Sequence, residues 1–256
     1  MSSGEQPSRR RRAEERRRAE ARAAARRRWV RMAGLAVVVI VVIGLGVGIG
    51  RAVAGQGPAP GPAVKTGSLS ALGALQAPGS QGPVGPEGIP IPQVPQLTSL
   101  GSAATGSTVD GIQCDSTEQV LFHIHAHLTI FVNGQQRQIP YGIGIPNVQA
   151  QQTPQGPFAA SGSCFYWLHT HADDGIIHIE SPVQKTFTLG DFFAIWGQPL
   201  STSQVGPAKG PVVALYNGKQ YLGNPQDIPL TNHANIQLEV GKPLVSPVIV
   251  NSWAGL

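Results

Sequence analysis

Between positions 120 and 132 the chain reads VLFHIHAHLTIFV, two interleaved rows of residues. Val120, Phe122, Ile124, Ala126, Leu128, Ile130 and Val132 make one unbroken apolar row, while Leu121, His123, His125, His127, Thr129 and Phe131 make the other. Side chains alternate faces along a strand, whereas this spacing would scatter them around a helix. The run is therefore a strand with its apolar row on a core and three histidines projecting together from the opposite face. Successive histidines on that face stand about 6.5–7 Å apart, so two imidazoles can reach one metal ion between them.

Six of the seven histidines lie between Val120 and Glu180, and the second three stand in HTHADDGIIHIE. Asp174-Gly175 is a hairpin signal, because both central residues of a type I′ turn need positive φ. A two-residue turn there predicts the pairs His171–His178 and His169–Glu180, which puts His169, His171, His178 and Glu180 on one face. Three imidazoles and a carboxylate suit copper or zinc, and also iron. The candidate metal ligands are thus His123, His125, His127, His169, His171, His178 and Glu180, with Glu180 either a ligand or the group that orients one. The plainer readings are a hydrogen-bonded histidine network and a pH-sensing surface. The H-x-H steps resemble those of cupin metal sites. The glutamate that follows in a cupin has no counterpart here, where Thr129 and Ile130 follow His125 and Gly175 and Ile176 follow His171.

Residues 110–256 are long enough for one respectable core. They show short runs of β-branched and aromatic residues broken by Asn133-Gly134, Asp174-Gly175 and Asn217-Gly218. The expected fold class is all-β, an antiparallel sandwich or small barrel. One short helix is expected at GDFFAIW, with Thr188 as N-cap and Asp191 completing a capping box. Further strands are expected near residues 212–216, 235–240 and 244–250. Cys114 and Cys164 precede the two histidine clusters. Outside the cytoplasm an isolated pair oxidises, which predicts a Cys114–Cys164 disulfide.

The net charge of +5 conceals two unequal parts. Residues 1–31 hold twelve Arg and four Glu, whereas the rest of the chain holds seven Lys or Arg against ten Asp or Glu. Residues 32–50 carry no charge and are bounded by Arg31 and Arg51. At about 1.5 Å per residue they span roughly 28 Å, close to the bilayer's hydrocarbon thickness. The expected organisation is a basic cytoplasmic tail over 1–31, a transmembrane helix over 32–51 and a disordered Pro/Gly-rich linker over 52–109, followed by an extracytoplasmic β domain over 110–256. The Arg excess puts the N-terminus in the cytoplasm and the domain outside. The expected partners are membrane lipid, through the span and the basic tail, and a second copy through Gly44, Gly46, Gly48 and Gly50. The net acidic folded part argues against nucleic acid.

These features point to a membrane-anchored, extracytoplasmic metal-binding accessory protein, with copper or zinc on a histidine-rich sheet face. Two alternatives stand beside it. One is a metal-dependent hydrolase or oxidoreductase with a His/Glu site. The other is a cell-envelope interaction module whose histidines are incidental.

Overall fold

The computed structural model describes residues 63–100 and 104–256. The basic tail, the proposed membrane span and residues 52–62 and 101–103 of the expected linker lie outside them. Among the described residues no helix is long and apolar enough to cross a membrane.

The described residues are mostly β with one short α-helix, as the alternation predicts. Their frame is an eight-stranded sheet. In chain order the strands are β1 (Thr66–Gly67), β2 (Phe122–Val132), β3 (Gln135–Arg137), β4 (Leu168–His169), β5 (Ile176–Ser181), β6 (Val212–Tyr216), β7 (Lys219–Tyr221) and β8 (Ala234–Val240). In space they run β1-β7-β6-β8-β2-β5-β4, with β3 folded back on the end of β2. The expectation of a purely antiparallel sandwich or barrel is corrected here. The sheet is mixed, because β8 pairs with β2 in parallel, from Ala234 opposite Ala126 to Val240 opposite Val132. A parallel neighbour requires a long crossover, and the helix α1 (Leu189–Trp196) lies on that path.

Ala126, Leu128, Ile130, Ile177, Ile179, Leu168, Ile236 and Leu238 share the apolar face and are buried. They join Phe192, Phe193, Ile195 and Trp196 of α1 in one hydrophobic core. Val120, expected at the head of the apolar row, lies before the strand and is exposed. The helix starts where its cap chemistry dictates. Thr188 accepts from the Asp191 amide, and the Asp191 carboxylate accepts from the Thr188 amide. Thr188→Ala is expected to cost about 1 kcal/mol of stability, read from urea denaturation. An unchanged midpoint would show that packing alone holds the helix.

The opposite face carries the histidines of β2 and, on β8, Asn235, Gln237 and Glu239. Of these, His125, His127, Asn235, Gln237 and Glu239 are buried, whereas His123 at the start of β2 is exposed. Residues 244–250, expected as a strand, cross this face as a strap held by side chains. The Glu239 carboxylate accepts from the Val245 amide, Gln237 Oε1 from the Val248 amide and Asn235 Oδ1 from the Val250 amide. Paired side chains have replaced the ladder, so no regular strand forms.

The described part of the expected linker is also corrected. It is not a disordered tether, because β1 pairs with β7 and Ile89, Ile91 and Leu97 are buried. The Gly79, Gly82, Gly85, Gly88 spacing serves a compact loop rather than an extended chain. Gly82 sits at φ +81, and a Cβ there would stand 2.0 Å from the Ile91 carbonyl oxygen. Glu87 lies on this loop and reaches His178.

Candidate metal centre

β5 lies between β2 and β4, and the registers line up the histidines across all three strands. His125 stands opposite His178, which stands opposite His169, while His123 stands opposite Glu180. The two-residue hairpin expected at Asp174-Gly175 does not form. The pairs are Leu168–Ile179 and His169–His178, displaced by two residues from those predicted. Residues 170–175 instead make a wider loop tied elsewhere. Thr170 bonds with Ile143, Gly142 and Pro140, and the His171 carbonyl accepts from the Ala159 amide. A displacement of two keeps every side chain on its predicted face. His169, His171, His178 and Glu180 therefore still converge, with donor atoms all within 4.8 Å of one another. A second convergent group is His123, His125 and His178.

Backbone contacts decide which ring nitrogens are free. His169 Nδ1 donates to the Tyr166 carbonyl at 2.8 Å, and His171 Nδ1 donates to the Ala159 carbonyl at 2.6 Å. A carbonyl only accepts, so both Nδ1 atoms carry the proton and both Nε2 atoms present lone pairs. Those two Nε2 atoms stand 3.0 Å apart. Two bare acceptors at that distance repel unless a cation lies between them. Two nitrogens bound to one ion at about 2.0–2.1 Å, at angles of 90–110°, stand about 2.9–3.4 Å apart. A histidine whose second nitrogen donates to a backbone carbonyl is also the usual arrangement of a metal ligand.

Carboxylates surround these imidazoles. Glu180 Oε1 lies 3.0 Å from His123 Nε2 and 3.3 Å from His178 Nδ1. Glu87 Oε1 lies 2.6 Å from His178 Nε2, and Glu118 Oε1 lies 3.4 Å from His171 Nε2. Glu180 Oε2 and Glu87 Oε2 are buried without a hydrogen-bond partner. The sequence reading missed both Glu87 and Glu118. Neither sits in a periodic run, and Glu87 is 91 residues from the histidine it meets.

His127 stands apart from both groups. Its Nε2 donates to the Asp174 carbonyl at 3.0 Å, and its Nδ1 is buried without a partner. Asp174 Oδ1 accepts locally from the Ile176 amide, as a turn residue does, whereas Asp173 Oδ1 accepts from the distant Tyr141 amide.

The charge states follow from this packing. Burial, and then the charge of His178, hold His125 down at about 3. Burial holds His127 at about 4, and it holds His169 well below the ordinary range, helped by His171 and His178. His171 is lowered by burial and by His178. Burial would lower His178 too, but its hydrogen bonds to Glu180 and Glu87 prevail and lift it to about 9. Neutral imidazoles are the form that binds metal.

His127 yields a pH prediction for the metal-free protein. Its folded pKa of about 4 lies below the ordinary 6.5, so between these values the unfolded chain binds a proton that the native state does not. Its contribution is therefore present above pH 6.5 and is lost as the pH falls toward 4, amounting to about 3 kcal/mol. The acid-side slope of stability against pH is expected to be shallower by about 1.4 kcal/mol per pH unit in His127→Leu than in the native protein. Urea melts at several pH values measure it, and parallel slopes would refute the assignment.

The cluster could thus hold a metal ion. No protein-family model matches the chain, and no curated protein or solved structure matches it either. The site's own chemistry therefore carries the functional argument.

Proposed function

We propose that the protein is a membrane-anchored, extracytoplasmic metal-binding protein that holds copper or zinc for storage, delivery or buffering. The observation that carries this reading is the pair of bare Nε2 atoms of His169 and His171, 3.0 Å apart beside Glu180. Imidazole and carboxylate donors suit Zn(II) and Cu(II). Thiolate is unavailable, since Cys114 and Cys164 form a disulfide, and the only methionines, Met1 and Met32, fall outside the domain. That disulfide also favours an oxidising compartment. The uncharged run after an Arg-rich segment supports the anchor and its orientation.

Elemental analysis and calorimetric titration of the full-length protein test the metal. Copper or zinc should bind more tightly than about micromolar, near −8 kcal/mol, and His171→Ala with His178→Ala should abolish that tight binding at the quartet. No bound copper, zinc or iron would overturn the reading. Protease protection of the domain in sealed cells or vesicles tests the topology separately.

A metal-dependent hydrolase or oxidoreductase is the second reading, and one observation favours it. The His123 side chain is 38% exposed, so solvent reaches one edge of the cluster. Turnover needs an open coordination position. Azide added to the Cu(II) form should then shift its spectrum, whereas no shift favours holding over catalysis.

A further inference from the structure

We propose that the cluster binds two metal ions, one between His123 and His125 and one between His169 and His171, with Glu180 shared between them and His178 within reach of either. This rests on the metal-binding reading and adds a second ion to it.

The topology separates the two pairs. β2 and β4 flank β5 on opposite sides, and neighbouring strands stand about 4.8 Å apart. Each pair nevertheless closes on itself, since His123 Nε2 meets His125 Nε2 at 3.0 Å and His169 Nε2 meets His171 Nε2 at 3.0 Å. Among the described residues, no group of donors within 4.8 Å of one another contains both pairs. Two ligands of one ion, each bound at about 2.0–2.2 Å, lie no more than about 4.4 Å apart. A single ion therefore cannot take all four of these nitrogens where they stand.

Each pair also has its own further donors. On the β2 side the contacts form a ring. His123 Nε2 to His125 Nε2 is 3.0 Å, His125 Nε2 to His178 Nδ1 is 3.2 Å, His178 Nδ1 to Glu180 Oε1 is 3.3 Å, and Glu180 Oε1 to His123 Nε2 is 3.0 Å. The ligand–ligand edge of a tetrahedral site with bonds of about 2.0 Å is about 3.3 Å, and the convergent group here is His123, His125 and His178, with Glu180 Oε1 at its edge beside His123 and His178. On the β4 side, Glu118 Oε1 lies 3.4 Å from His171 Nε2, and Glu180 Oε1 lies 4.0 Å from His169 Nε2. Glu180 thus faces both pairs, and its second oxygen is buried without a partner. A carboxylate with a spare buried oxygen between two ligand pairs is placed to bridge two cations. The carboxylates of Glu87, Glu118 and Glu180 gather negative charge that a second dication would offset.

The test uses the full-length protein and Zn(II) alone, with bound metal counted by elemental analysis and native mass spectrometry after dialysis. Two zinc ions per chain are expected. One per chain would overturn this inference and leave the metal-binding reading standing, whereas none would overturn both. His123→Ala with His125→Ala should keep one zinc, and so should His169→Ala with His171→Ala. Loss of all zinc from either variant, or retention of two, would overturn the two-site arrangement. Circular dichroism establishes that each variant is folded. Should a double variant fail to fold, the single change His123→Gln at the most exposed histidine of the cluster should weaken one equivalent at least tenfold and spare the other. Equal weakening of both, or of neither, would count against the proposal. Loaded with two Cu(II), the protein should give a spin-coupled paramagnetic resonance spectrum. Two magnetically isolated copper signals would refute the shared arrangement.

Discussion

Adding zinc to the metal-free protein is expected to raise its melting temperature by about 10 °C, and a chelator should reverse the rise. A ligand that binds only the native state stabilises it by about 4 kcal/mol when present at a thousand times its dissociation constant. For a domain of this size each kcal/mol moves the midpoint by about 2–4 °C. The gain is large because the metal-free site is internally opposed. His169 and His171 face each other with lone pairs at 3.0 Å, locked there by the Tyr166 and Ala159 carbonyls. Glu180 Oε2 and Glu87 Oε2 are buried without partners. An ion relieves both, and the unfolded chain offers no preformed site to compete. Thermal melts with zinc and with chelator measure the effect. His169→Ala with His171→Ala should remove a large part of the rise, and identical melts with and without zinc would show that the cluster is a histidine network.

Much of this site is legible in the chain because a strand has a period of two. The apolar row of β2 fixes which face is core, so His123, His125 and His127 must share the other face. The same parity explains why His169, His171, His178 and Glu180 converge despite a mistaken hairpin. The register moved by two residues, and only an odd displacement would have turned the histidines into the core. Turn chemistry was less reliable. Asn133-Gly134 and Asn217-Gly218 make the expected two-residue turns, with Asn133 at φ 51 and Asn217 at φ 48. Asp174 does not enter the positive-φ region. Its carboxylate instead takes the Ile176 amide locally, and its carbonyl takes His127 across the sheet, so that together they hold a wider loop open. Glu87 and the strap over residues 244–250 were beyond reach for another reason. The strap is placed by side chain to backbone bonds across the sheet and Glu87 meets His178 side chain to side chain from a distant loop, and neither leaves a periodic trace. A segment rich in Pro and Gly reads as a tether by composition, yet Ile89, Ile91 and Leu97 bury it against the domain.

Reduction of the Cys114–Cys164 disulfide is expected to cost about 4 kcal/mol of stability and to weaken metal binding as well. The bond closes a loop with a sequence separation of 50, and the lost loop-closure entropy in the unfolded chain sets that magnitude. The effect on the site follows from what the bond holds. Cys114 pairs with Tyr166 and Asp115 with Phe165 in a short antiparallel ladder. Tyr166 supplies the carbonyl that fixes the His169 tautomer, and Trp167 Nε1 donates to Asp115 Oδ2 at 2.7 Å. Glu118, which faces His171, lies three residues beyond that ladder. Freeing Cys114 therefore loosens a donor and the lock on another ligand together, whereas the β2 histidines sit in the centre of the sheet and are held independently. Cys114→Ser with Cys164→Ser should lower the urea midpoint and weaken zinc binding at least tenfold on the β4 side, while zinc near His123 and His125 is retained. A large loss of stability with unchanged zinc affinity would mean that the ladder around Tyr166 persists without the bond. An unchanged midpoint would mean that the loop is already constrained in the unfolded chain.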